Sequence, residues 1–174
     1  MNTKDTTKGF TLLEVVVSLG LLIMVFSGVT GLAVISTEAG RSSKNNLIAA
    51  NLAQEAENLL RYKRDLNYIL AVSPFTDIAI ETDNTAYYFT IDYDATITPE
   101  TSADVSVAAP LQIVSNFYAQ ASGTVTKFRR LITTTYHIAA GPLPAYIEVK
   151  IDVYWNEDTK HSTYTTTSEL SDWR

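Results

Sequence analysis

From Phe10 to Thr37 the chain carries one formal charge, Glu14, in a run of Leu, Ile, Val, Phe, Met, small residues and hydroxyls. The run is apolar on every side, and a membrane-spanning helix needs roughly 20 such residues. It exceeds a secretory h-region of about 7–15 residues, and no A-x-A cleavage site follows it. Phe10, Leu13, Val17, Leu21, Met24 and Val25 are expected to face lipid or neighbouring helices. Gly20, Gly28 and Gly31 interrupt the run. Two readings of the Gly28–Gly31 segment stand side by side: a weak hinge, at about 1 kcal/mol per Gly, or close helix packing.

After Arg41 the pattern changes. Ile48, Leu52, Ala56, Leu59, Leu66 and Leu70 recur at three- and four-residue spacing, which predicts one apolar stripe on an amphipathic helix. Lys44, Glu55, Asn58, Arg61 and Asp65 fall off the stripe and are expected in solvent. The helix should stop before Pro74, because the residue before proline avoids helical angles.

Then the period shortens to two. Tyr87 to Asp94 alternates, as does Ala145 to Trp155, where Ile147, Val149, Ile151, Val153 and Trp155 face one way. Leu111 to Ala121 and Thr124 to Tyr136 read as strands around a tight Ser122–Gly123 turn. Asn156 to Lys160 reads as a turn, and Ser162 to Leu170 as a returning Thr-rich strand. Segments 73–85 and 99–110 read as loops. The predicted fold class is α+β, a long N-terminal helix packed on a C-terminal antiparallel sheet. Its parts are a leader at 1–9, a membrane or assembly helix at 10–39, an amphipathic continuation at 40–72 and a β-sheet domain at 73–174.

Glu14 is the anomaly. An acidic side chain at the centre of a membrane helix costs on the order of 3 kcal/mol. A charge in such a place normally has a partner, and no Lys, Arg or His lies within the span. The partner has to come from elsewhere. A free amine at the N-terminus of another subunit would serve, if the chain is cut before Phe10.

Lys8-Gly9-Phe10-Thr11-Leu12-Leu13-Glu14 resembles the cleavage and methylation motif of type IV prepilins and type II secretion pseudopilins. The resemblance implies that prepilin peptidase cuts after Gly9 and methylates the new N-terminal Phe10. It implies that Glu14 pairs with the terminal amine of a neighbouring subunit during assembly. The expected partners are other pilin or pseudopilin subunits, prepilin peptidase and an inner-membrane assembly platform. The expected product is a single-pass cytoplasmic-membrane protein with its C-terminal domain outside, later part of a cell-surface or periplasmic filament. The segment AQEAENLLRYKR at 53–64, Phe128-Arg129-Arg130 and Leu170-Ser171-Asp172-Trp173 are similar to the PilV-type minor pilins and the I-class minor pseudopilin. A plain amphipathic helix on a sheet explains the 53–64 segment equally well. The chain departs from that family's pattern in two ways. It lacks the proline often found near Gly28–Gly31, and it lacks the cysteines with which many Gram-negative pilins close a C-terminal loop.

Composition narrows the picture. The 174 residues have a net charge of −6. Without Lys4, Asp5 and Lys8 there would be 11 basic and 18 acidic side chains, net −7. That balance opposes bulk nucleic-acid binding. With no cysteine, neither a disulfide framework nor a thiolate-held metal is possible. His137 and His161 stand in no ligand spacing. Asp83, Asp92 and Asp94 form an acidic group without an EF-hand pattern. Lys127, Arg129 and Arg130 form a basic patch, with Lys127 and Arg129 on one strand face. No catalytic constellation, cofactor or metal site is recognisable, and a structural subunit is expected rather than an enzyme. The competing expectations are a tip adhesin or DNA-uptake pilin, and an unprocessed membrane anchor.

Overall fold

The computed structural model describes residues 11–120, 123–157 and 160–172. It contains one helix, α1 (Leu12–Ile69), and seven strands: β1 (Ala86–Ile91), β2 (Ile97–Pro99), β3 (Pro110–Val114), β4 (Phe117–Ala119), β5 (Thr124–His137), β6 (Tyr146–Glu157) and β7 (Lys160–Ser171). A long N-terminal helix, apolar in its first part, packs on a C-terminal antiparallel sheet: the layout is α+β. Two compact units divide near residue 45.

In the first unit α1 begins at Leu12, with Thr11 as its cap. The Glu14 amide donates to the Thr11 carbonyl at 3.1 Å and to its Oγ1 at 3.3 Å. Thr11-x-x-Glu14 thus makes the first half of a capping box. Gly9 and Phe10 lie outside the described residues.

In the second unit the sheet runs β7–β6–β5, and every pairing in it is antiparallel. The far edge of β5 is shared. One end pairs with β1, which carries β2; the other pairs with β3, which carries β4. Alternation places Phe128, Ile132, Ile147, Val149, Ile151, Val153 and Trp155 on one face. Ala49, Leu52, Ala53, Ala56 and Leu60 of α1 cover that face. These small and branched residues, at three- and four-residue steps, let helix and sheet approach closely. The stripe is centred differently from its prediction. Leu60 is fully buried where Leu59 is half-buried, and Leu70 lies beyond the helix and is exposed.

α1 ends in a Schellman motif well before Pro74. Val72 N–H donates to Asn67 O and Ala71 N–H to Tyr68 O, with Ala71 at φ 56°. The following loop is more than a connector. Phe75 and Ile78 are core residues. Asn67 Nδ2 holds the carbonyls of Pro74 and Thr76 at 3.1 and 2.9 Å, and Thr134 Oγ1 holds that of Ile78 at 2.6 Å.

The single strand expected over Leu111–Ala121 is a hairpin. Ser115 and Asn116 both take positive φ, 49° and 72°, between β3 and β4. That is the requirement of a type I′ turn, and neither residue is the usual glycine. The turn expected at Ser122–Gly123 does not join paired strands, because β4 and β5 lie on opposite sides of β3. Ser122 itself lies outside the described residues. Gly123 instead packs against β3: a Cβ there would stand 2.4 Å from Ile113 O.

Candidate functional site

The candidate site is the first part of α1. A window of 18 residues reaches a mean hydropathy of 2.4 with none of its surface buried. Leu13, Val17, Leu21, Met24 and Val25 are between 53 and 75% exposed. At 1.5 Å per residue, positions 12–35 span roughly 36 Å, longer than a hydrocarbon core of about 30 Å. The helix is long and apolar enough to cross a membrane.

Its polar groups are satisfied locally. Ser18, Ser27, Thr30 and Thr37 donate their hydroxyls to the carbonyls four residues back, at 2.7, 2.8, 2.8 and 2.8 Å. In water such back-bonding brings little, whereas in an apolar surrounding it removes otherwise unpaired donors. Glu14 is different. Among the described residues no cation or donor meets its carboxylate, although it sits in the first turn, where the helix dipole favours a negative charge.

The second charge in apolar surroundings is Arg130, which the sequence reading placed in a basic surface patch. It belongs to the core and is fully buried. Period two in β5 puts it in the row of Phe128, Ile132 and Thr134, facing α1, while Lys127 and Arg129 point the other way. Arg130 Nη1 donates to Leu52 O at 2.9 Å and Nη2 to Ile91 O at 2.5 Å; Glu55 Oε1 lies 3.7 Å from Nη1. One guanidinium ties helix, β1 and β5. Burial pulls its pKa down from the ordinary value, and the carboxylates of Glu55 and Asp92 oppose that. Glu55, expected in solvent, therefore turns its carboxylate inward. The legible signal was the alternation Phe128-x-Arg130-x-Ile132, which assigns Arg130 to the apolar row.

The three aspartates expected as an acidic group are engaged separately. Asp83 accepts from Ile138 N–H, Asp92 from Gln120 N–H and Asp94 from Thr96 N–H. The bond from Thr96 holds the Asp94 carboxyl below its usual range. Among the described residues no group of three His, Cys, Asp or Glu is placed to hold a metal. His137, at the end of β5, stacks on Tyr146 with centroids 4.6 Å apart. His161, at the start of β7, meets the Tyr154 hydroxyl at 2.7 Å. An open hollow of about 470 Å³ is lined by Lys63, Asp77, Tyr87 and Asp94 among others. Lys63 and Asp77 pair across it at 3.5 Å, so its opposite charges answer each other.

A scan against protein-family models and searches of characterised proteins and of solved structures return no match to this chain.

Proposed function

We propose that the chain is a minor pilin or pseudopilin, a structural subunit of a type IV pilus or of a type II secretion-like filament. One observation carries the reading. A lone carboxylate, Glu14, sits without a partner among the described residues at the head of an apolar helix that nothing described covers. Helices of this kind gain stability by burying their sides against one another, and a buried acid needs a cation. Cleavage after Gly9 supplies that cation as the amine of Phe10 on a neighbouring subunit. In this reading the protein first spans the cytoplasmic membrane with the sheet domain outside. Prepilin peptidase then trims it, and an assembly platform moves the helix from lipid into a filament core. Glu14 sets the axial register, and the sheet domain meets other subunits at the surface.

The test is the mass of the N-terminus in protein purified from its own membranes. A chain starting at Phe10 with one added methyl group is expected. A chain that retains Met1 to Gly9 would refute the reading and leave a simple membrane anchor.

A further inference from the structure

We infer that the open edge of β7 is a self-pairing site: it takes the same edge of a second copy of this chain, antiparallel and centred on Thr165. The sheet alone carries this, independently of the filament reading and of where the first part of α1 lies.

β7 pairs with β6 without interruption from Glu157↔Lys160 to Tyr146↔Ser171. Asp172 N–H donates to Ala145 O, so the even-numbered residues of β7 turn their backbone groups to β6. In an antiparallel pair, alternate residues turn these groups away from the partner. The N–H and C=O groups of His161, Thr163, Thr165, Thr167 and Glu169 therefore point outward. Among the described residues no hydrogen bond covers them. The next outward carbonyl, Ser171 O, is taken by Arg64 Nη1 at 3.4 Å, which closes the row at that end. Thr165 is the middle of the open row.

The side chains repeat that symmetry. Ser162-Thr163-Tyr164-Thr165-Thr166-Thr167-Ser168 reads nearly the same in both directions, with His161 before it and Glu169 after it. A two-fold axis through Thr165 sets Thr163 on Thr167, Ser162 on Ser168 and His161 on Glu169 of the second copy. All five outward residues then exchange both backbone bonds. Thr–Thr pairs and opposite charges are favourable across strands. A slip by two residues sets His161 on Thr167 or Glu169 on Thr163, and the charge pairs are lost. Opposite charges alone would suit many strands. A near-palindrome about the middle of the open row is its own complement.

Edges are ordinarily guarded against their own copies by a charge in mid-strand, a proline or a bulge. β7 has none of these from Ser162 to Ser168. The other edges of the sheet are guarded: β2 and β4 are three residues long each, and β2 ends in Pro99. They do not continue the ladder, so pairing closes at two copies, with the same patch used on both.

The chain has no cysteine, so single cysteines report the register. The experiment uses the full-length protein in detergent micelles held in excess over protein, with oxidised glutathione. Thr165→Cys is expected to give a disulfide-linked dimer, since residues paired on the axis stand about 5.5 Å apart at Cα. Thr163→Cys alone should give none, because its two copies lie about 13 Å apart along the strands. Mixed with Thr167→Cys it should link. Glu169→Lys and His161→Glu should each weaken the dimer about fivefold or more. A one-to-one mixture of the two should recover it, because the mixed pair again sets opposite charges on each other. Thr167→Pro removes one outward N–H per copy and no bond to β6, and should weaken the dimer about tenfold. Linking of Thr163→Cys to itself, an unweakened dimer of folded Thr167→Pro, or a mixture that fails to recover would overturn the site. A monomer whose amides at 161, 163, 165, 167 and 169 exchange fast would overturn self-pairing and leave the edge to another chain.

Discussion

Leu22 and Leu52 belong to the same helix, yet Leu22 is 54% exposed and Leu52 is 2% exposed. The stretch around Leu22 is apolar on all sides and finds no cover among the described residues. The stretch around Leu52 is apolar on one side and finds a sheet. The two charges repeat the contrast. Arg130 sits deep in the core, with two carbonyls and a carboxylate of the same chain around it. Glu14 sits at the head of the uncovered stretch with none among the described residues. A stripe is answered from within a fold, whereas an all-round apolar helix is answered by lipid or by other helices.

The largest test of that contrast is Arg130→Ala. It strands the Ile91 carbonyl and the inward Glu55 carboxylate, and should cost about 3–5 kcal/mol. Loss of one partner is the expensive event, so Arg130→Met combined with Glu55→Gln should recover most of the loss. Urea unfolding followed by the fluorescence of buried Trp155 measures both. An Arg130→Ala protein as stable as the parent would return Arg130 to the surface role read from sequence.

Next comes one substitution made on both sides of the contrast. Leu52→Ala should lower the stability of the sheet domain by about 2–5 kcal/mol through the cavity it leaves. Leu22→Ala should leave that stability within about 0.5 kcal/mol, while reducing the drive into the membrane by about as much. Equal urea midpoints for the two variants would mean that the halves of α1 do the same work.

The smallest effect lies far from both stretches. The folded-state pKa of Asp94 is lowered, chiefly by the Thr96 N–H it accepts. A depressed carboxyl stabilises above the unfolded-state value, 3.8 for this group, and loses that contribution as pH falls through the folded value. The urea midpoint of Asp94→Ala should lie slightly below the parent at neutral pH and converge with it in acid below 3.8. A difference that persists unchanged in acid would assign the effect to something other than the carboxylate.

What could be read from the sequence follows the strength of each periodic signal. The apolar run, the β6 alternation from Ile147 to Trp155 and the α+β layout rest on many residues voting together. Leu60 replaced Leu59 at the centre of the stripe because both fit the same spacing, and only the facing sheet chooses. The β3–β4 hairpin was hidden because Ser115 and Asn116 lack the glycine that usually marks a type I′ turn. Arg130 was grouped with its sequence neighbours Lys127 and Arg129 rather than with its strand-face neighbours Phe128 and Ile132. Phe75 and Ile78 carry no period at all, since a loop that plugs a core obeys only the shape of the gap. Glu14 stood out in the sequence as a lone charge because its neighbours are uniformly apolar, and its capping relation with Thr11 needed the helix start to be seen.

The most direct test of the account is Glu14→Ala in the producing cell, with membrane-inserted and sheared filament fractions measured side by side. The account predicts normal insertion, because removing a carboxylate from an apolar helix costs nothing there. It predicts a fall of about tenfold or more in filament recovery, since the proposed pair with a neighbour's terminal amine would lose one partner. Equal recovery of Glu14→Ala and the parent in the filament fraction would contradict it.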